Sequence, residues 1–193
     1  MFSARLILRT IVIAASLGQF LVVPASASAA DAREPATSES RLNEIQDFAL
    51  YLGLTLPLWH GVDGIVTEEE DVLRHLLDGT LTYGQAANRI DRLVERARGL
   101  AAEYADVKAP ERLLRADRLL GQGLGALVDA LDEEAIWLRT GSESAHIRHQ
   151  VKADQSLTYF QACSAALAQA QSEFAGDSGP GDIPLPLPTL RYA

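Results

Sequence analysis

The sequence has little of the chemistry that cross-linking and cofactor attachment require. Its 193 residues include one cysteine, which excludes a disulfide within the chain and a haem attached through a Cys-x-x-Cys-His motif. The one methionine is Met1, so a methionine-ligated haem is excluded once the N-terminus is removed. Aromatic residues make up only 6%, and leucine and alanine recur throughout, so the core must be aliphatic, as packed helices favour. We predict no cofactor.

The first 30 residues predict an export signal. Arg5 and Arg9 precede an apolar run from Ile11 to Val23, and small residues follow Pro24. The run has about 13 residues, fewer than the ~20 that a membrane-spanning helix needs. We therefore expect residues 1–30 to be a cleaved signal peptide, with no stable membrane insertion afterwards, and the protein to be secreted or periplasmic. A retained N-terminal anchor is the alternative.

The chain is acidic and poor in lysine. It has 26 Asp and Glu residues against 17 Lys and Arg, a formal net charge of −9, and loss of Arg5 and Arg9 would make it more negative. Such a surface repels phosphate groups, so no nucleic-acid partner is expected. Lysine occurs only at positions 108 and 152, and this arginine bias suggests a GC-rich bacterium.

Four segments repeat apolar residues at intervals of three and four, the spacing of an amphipathic helix. We predict an all-α fold, an antiparallel up-and-down four-helix bundle over residues 39–176, because short links oblige helices adjacent in sequence to run in opposite directions. The first helix is expected to be long and kinked near Pro57, which removes an amide donor and presses on the carbonyl of Gly53. A break near Gly61 and Gly64 is the alternative.

Start and stop signals separate the predicted helices. Gly79 and Gly141 follow the first and third helices, and Thr82 with Gln85 has capping-box spacing at the start of the second. Pro110 suits the first turn of the third helix. The residues expected to be buried include Leu42, Ile45, Leu56 and Trp59 in the first helix, Leu124 and Leu127 in the third, and Ile147 and Phe160 in the fourth.

The ends outside the bundle are polar or proline-rich. Residues 31–38 form a polar leader that we expect to be flexible. Residues 177–193 contain four prolines, and residues 183–188 alternate apolar side chains with proline, which favours an extended, polyproline-like tail. We expect this tail to pack loosely on the bundle; a docking peptide for a partner and a plain spacer are the alternatives.

A helical bundle can hold a metal ion between its helices, and the fourth helix offers candidate ligands. His146 and His149 lie at i and i+3, and Glu143 lies one turn before His146. These three residues are the candidate metal ligands, and solvated side chains near a helix N-terminus are the alternative. The paired Glu-x-x-His motifs of di-iron bundles do not occur on two helices. The four acids at 68–71 point around a helix, so we expect a solvated turn there.

Other chemical signatures fail. No Gly-x-Ser-x-Gly elbow occurs and Cys163 has no histidine on its own helical turn, so we expect no enzyme.

Gly121 and Gly125 share one helix face and are expected to let a neighbouring helix approach closely. Asp117 falls close to an apolar face and would need partners if buried. We expect Cys163 to be buried and inert; a disulfide-linked homodimer through Cys163 is the alternative.

These observations predict a function in binding. We expect an exported, non-enzymatic helical-bundle protein of unknown role that binds a protein partner in the envelope or extracellular space. The alternative is a four-helix bundle that binds a small molecule or a metal ion. Saturable metal binding that depends on histidine would favour the alternative over a protein-binding function.

Overall fold

Four long helices dominate the computed structural model, which describes residues 38–176. They are α1 (Ser38–Leu77), α2 (Tyr83–Ala105), α3 (Leu114–Thr140) and α4 (Glu143–Gly176). Of the described residues, 91% are helical and none is in a strand. The predicted all-α, four-helix fold is confirmed. The predicted signal peptide, the leader up to residue 37 and the proline-rich tail lie outside the described residues.

The helix ends follow the predicted signals. The Thr82 Oγ1 accepts from the Gln85 N–H at 3.3 Å, and the Gln85 Oε1 accepts from the Thr82 N–H at 2.9 Å, so the capping box is confirmed. Gly79 and Gly141 have φ angles of 72° and 68°, in the left-handed region that glycine adopts without steric cost. Before α3, a short 3₁₀ turn (Glu111–Leu113) follows Pro110, so α3 begins four residues later than the proline suggested.

The first helix is continuous through Pro57, Gly61 and Gly64, so the alternative of a break does not occur. The kink near Pro57 and the antiparallel up-and-down arrangement stay predictions. Across the residues that the structure describes, no helix combines the length and apolar character that crossing a membrane requires.

The core forms where α3 packs against both α2 and α4, and α1 packs against α2. Contacts also join α1 to the other two helices, because the Tyr51 hydroxyl donates to the Asp117 carboxylate at 3.2 Å and the rings of Trp59 and Phe160 lie 5.6 Å apart. Leu124 and Leu127 are buried as predicted.

The predicted buried face of α1 is only partly right in its first half, where Leu52 is buried as predicted. Leu42, Ile45 and Leu56 are exposed, and Phe48, Tyr51 and Thr55 are buried in their place. Residues 48–59 contain no charged residue, so the apolar pattern does not distinguish one side of the helix from the other. Ile147 of α4 is also exposed rather than buried.

Close helix approach occurs at one glycine of the predicted pair and at other glycines as well. A Cβ on Gly121 would lie 3.1 Å from the Tyr104 ring, whereas one on Gly125 would meet nothing within 4 Å. Closer contacts are at Gly61 of α1, where a Cβ would lie 2.7 Å from the Leu100 side chain, and at Gly123, where it would lie 2.8 Å from the Phe160 ring. The prediction therefore holds for Gly121 and is wrong for Gly125.

Candidate metal centre

A fully buried carboxylate stands at the centre of the candidate site. Glu134 of α3 has no exposed surface, and no donor group among the described residues reaches its carboxylate oxygens. The carboxyl of Glu69 is its one hydrogen-bonding neighbour there, and that bond needs a proton between the two acids. Burying a charged group without a partner costs several kcal/mol at least. Such a group calls for a proton or a cation that compensates its charge.

Glu134 lies in the interior because it falls on the apolar face of α3. Glu134 lies one turn after the buried Ala130 and Leu131 and one turn before the buried Leu138, so it occupies a core position. The two acids before it point to other helices and have partners there. Asp132 pairs with Arg98 of α2 at 2.8 Å, and Glu133 pairs with Arg148 of α4 at 2.7 Å. Of these three consecutive acids, only Glu134 lies in the core.

Side chains from two other helices meet Glu134. Glu69 of α1 and His149 of α4 are both partly buried, and one ligand atom of each residue lies within 4.8 Å of the corresponding atoms of the other two. Three helices thus bring two carboxylates and one imidazole together. These are oxygen and nitrogen donors of the kind that bind divalent metal ions.

The imidazole of His149 is oriented by α3. Its Nδ1 lies 3.1 Å from the carbonyl oxygen of Ala130. A carbonyl oxygen only accepts hydrogen bonds, so Nδ1 carries a proton and, in the neutral ring, Nε2 keeps its lone pair. Metal-binding histidines in proteins are commonly held in one tautomer by such a bond to a backbone carbonyl. Helix α3 therefore supplies both a ligand, Glu134, and the group that orients another ligand.

The electrostatics of the cluster favour an added positive charge. Burial raises the pKa of Glu134 well above its usual range, and the negative charge of Glu69 raises it further. Burial also raises the pKa of Glu69, and the neighbouring His149 opposes that rise. Two carboxylates in one buried space repel each other when both are ionised. A divalent cation between them would remove that repulsion.

Two ion pairs hold α3 and α4 beside the cluster. The Arg148 Nε and Nη2 atoms donate to the two carboxylate oxygens of Glu133 at 2.7 and 2.8 Å. Lys152 donates to Asp129 at 2.9 Å. Isolated exposed pairs add little stability, but a two-bond arginine–carboxylate contact also restricts geometry. Both pairs lie at the surface, outside the cluster itself.

Of the three ligands predicted from the sequence, only His149 belongs to the cluster. The His146 ring lies 4.4 Å from the Trp137 ring at an interplanar angle of 35°, and 6.3 Å from the His149 ring. Its buried Nδ1 has no partner among the described residues. Burial and the charge of His149 lower the pKa of His146. Glu143 is exposed and lies outside the cluster.

Sequence reasoning missed the two carboxylates. Glu69 belongs to the acidic run expected to form a solvated turn, and it turns inward while Glu68 and Glu70 are exposed. The position of Glu134 on the apolar face of α3 was a usable signal. No spacing rule joins Glu69 to Glu134, because they are 65 residues apart on different helices.

A second buried polar cluster is satisfied from within the protein. The Asp117 carboxylate accepts hydrogen bonds from the hydroxyl groups of Tyr51 at 3.2 Å and Tyr104 at 2.5 Å. These are the partners that a partly buried Asp117 was expected to need. Cys163 is fully buried and its thiol donates to the Ala116 carbonyl at 3.2 Å. A disulfide between two copies would require this sulfur at the surface, so the fold favours the buried, inert cysteine.

Comparison of the chain with models of protein families, with curated protein sequences and with solved structures finds no match.

Proposed function

We propose that the protein binds one divalent transition-metal ion through Glu69, Glu134 and His149. The observation that carries this proposal is Glu134, which is fully buried with no donor group on its carboxylate oxygens and lies beside two further ligand groups, Glu69 and His149. A protein that used this position only for packing would be more stable with an apolar side chain there. A ligand function explains why a carboxylate stands in the core.

The donor set favours zinc or a neighbouring first-row ion. Imidazole suits zinc and iron, and carboxylates suit these ions and manganese. Ligand atoms bound to one tetrahedral zinc ion lie about 3.4 Å apart, so atoms within 4.8 Å of one another need shifts of about 1 Å to coordinate it. Two carboxylates would neutralise the ion, and three protein ligands would leave one position for water.

This proposal takes up the alternative function drawn from the sequence. Binding of an envelope or extracellular protein and the absence of enzymatic activity stay predictions. We also propose, on the support of the N-terminal sequence, that a bacterial cell exports the protein and that the metal is bound outside the cytoplasm. The acidic composition is compatible with attraction of cations.

Calorimetric titration of the chelator-treated protein with zinc chloride tests the proposal. We expect one zinc ion per chain. The variants Glu134→Gln and His149→Ala should each bind zinc at least about 10-fold more weakly, because each removes a ligand atom.

Two substitutions outside the cluster serve as controls. Glu143→Gln removes an exposed carboxylate of α4, and His60→Ala removes an exposed imidazole of α1. Both variants should bind zinc like the unaltered protein. Unchanged binding by Glu134→Gln, or loss of binding by either control variant, would contradict the assignment.

A further inference from the structure

Helix α1 has an apolar side that no described residue covers. Residues 48–59 contain no charged residue. One side of this stretch packs into the core through Phe48, Tyr51 and Trp59, whereas Leu50 and Leu54 on the opposite side are 63% and 50% exposed. A helix that is apolar all round is normally covered all round.

We call this exposed side the apolar α1 face. Its residues are Leu42, Ala49, Leu50, Gly53, Leu54 and Pro57, which are exposed and share one side of the helix at 3.6 residues per turn. Scattered exposed leucines are ordinary, but a continuous apolar patch on a soluble protein marks a contact with another group. The face has no polar residue over about two turns, from Ala49 to Pro57, and Leu42 extends it beyond Asn43 and Gln46.

The chain that follows α4 begins at the same end of the bundle. The Cys163 thiol bonds to Ala116, and α4 also contacts the 3₁₀ turn at Glu111–Leu113. Arg112 in that turn pairs with Glu44 of α1 at 3.2 Å. The C-terminal half of α4 therefore lies near the first turns of α1, and residues 177–193 follow α4 directly.

The length and composition of this segment match the face. From Ile183 to Leu190 every residue except Thr189 is apolar. At ~3.1 Å per residue in an extended polyproline conformation, Ile183 can lie ~22 Å from Gly176, and residues 183–190 span another ~22 Å. The helix from Leu42 to Leu54 is ~18 Å long at 1.5 Å per residue.

A tethered segment suits this face better than a second copy of the chain does. A strip ~20 Å long and ~10 Å wide offers on the order of 200 Å², whereas a stable dimer buries about 800 Å² on each partner. A segment of the same chain has an effective concentration near millimolar and so needs far less area.

We propose that residues 183–190 bind to the apolar α1 face and cover Leu50 and Leu54. The contact is intramolecular and is made by leucine, isoleucine and proline side chains against aliphatic side chains. The tail closes the exposed side of α1 and leaves the bundle's other faces free.

Disulfide trapping in the full chain tests this contact. In a Cys163→Ala background, Leu185→Cys is combined either with Leu54→Cys or with Leu114→Cys. Leu114 is the matched control, because it is also 50% exposed and begins α3 near the same end of the bundle. Under mild oxidation, the 54–185 pair should cross-link within one chain at least about 10-fold faster than the 114–185 pair.

Three results would overturn the proposal. Equal rates for the two pairs would mean that the tail samples the surface without preference. A dimer of the unaltered protein in sedimentation equilibrium, together with cross-links that join position 54 of two Leu54→Cys chains, would assign the face to a second copy. Flotation of the unaltered protein with phosphatidylcholine–phosphatidylglycerol vesicles would assign it to a lipid surface. Circular dichroism melting of each variant verifies that the bundle is intact.

Discussion

At the scale of single residues, Gly123 sets the distance between α3 and α4. Its carbonyl accepts a hydrogen bond from the buried Ser156 hydroxyl at 3.0 Å, and the Phe160 ring occupies the space where a side chain would stand. Gly125, two residues later, borders open space. Two glycines in one helix thus have opposite packing environments.

The two glycines should respond in opposite directions to alanine. Gly123→Ala should lower the free energy of unfolding by about 1–3 kcal/mol, because the new methyl group displaces the Phe160 ring. Gly125→Ala should raise it by about 0.5–1 kcal/mol, because alanine favours the helix and meets no neighbour. Urea denaturation measures both; a destabilised Gly125→Ala would show that this side of α3 is covered.

Cys163 should be an unreactive thiol in the folded protein. Burial raises its pKa to about 12, so almost no thiolate exists at pH 8. Ellman's reagent should label it only as fast as the protein unfolds, while a cysteine at the exposed Ile136 should react at once. Because the folded pKa exceeds the unfolded one, Cys163 makes stability fall as the pH rises from about 9 towards 12. Rapid labelling of native Cys163 would contradict its burial.

At the scale of helices and turns, α2 depends on its capping box. The Thr82 side chain satisfies an amide that the helix leaves unpaired. Thr67, inside α1, bonds only to the carbonyl of Asp63 in its own helix at 2.8 Å, a contact that adds little stability. The two threonines therefore form a matched pair.

Replacing the two threonines by alanine should separate capping from helix propensity. Thr82→Ala should lower the free energy of unfolding by about 0.5–2 kcal/mol. Thr67→Ala should leave it unchanged or raise it slightly, since alanine is the better helix former. Thermal melting followed by circular dichroism compares them, and equal effects would refute a role for the capping box.

At the scale of the whole molecule, the metal centre joins three helices that do not all follow one another in sequence. Glu69, Glu134 and His149 come from α1, α3 and α4. A metal ion bound there links α1 to the α3–α4 pair. Binding at this junction stabilises the folded chain, because the unfolded chain does not hold the three ligands together.

Residue 134 should therefore affect metal binding and the stability of the metal-free protein in opposite directions. Glu134→Leu should raise the unfolding free energy of the metal-free protein by about 1–3 kcal/mol, because it removes a buried carboxyl whose oxygens no donor group reaches. It should also abolish the ~2.7 kcal/mol that zinc at 100 times its Kd gives the unaltered protein. Chemical denaturation with and without zinc measures both quantities.

The neighbouring Glu133→Leu is the control for this experiment. It removes a surface ion pair with Arg148 and should cost no more than about 1 kcal/mol, with the zinc effect retained. A metal-free Glu134→Leu protein less stable than the unaltered one would show that Glu134 has a structural partner.

The sequence alone predicted the features that depend on residues close together along the chain. Helix content, the capping box at Thr82, the turns at Gly79 and Gly141 and the buried leucines of α3 all follow from residues within a few positions of one another. Local hydrogen bonds and apolar periodicity determine these features. Periodicity failed in the first half of α1, because apolar residues on every side of a helix mark no inner face.

The tertiary structure alone decided which helices meet and at which level. His149 was recognised as a candidate ligand, but its partners were placed in Glu143 and His146 on its own helix, where spacing rules apply. The contacts of α3 with α4 and of α1 with both bring Glu134 and Glu69 to it instead. Glu69 and Glu134 are far apart along the chain and meet only because their helices pack together. Spacing rules relate residues within a few turns of one helix, so they could not predict this contact.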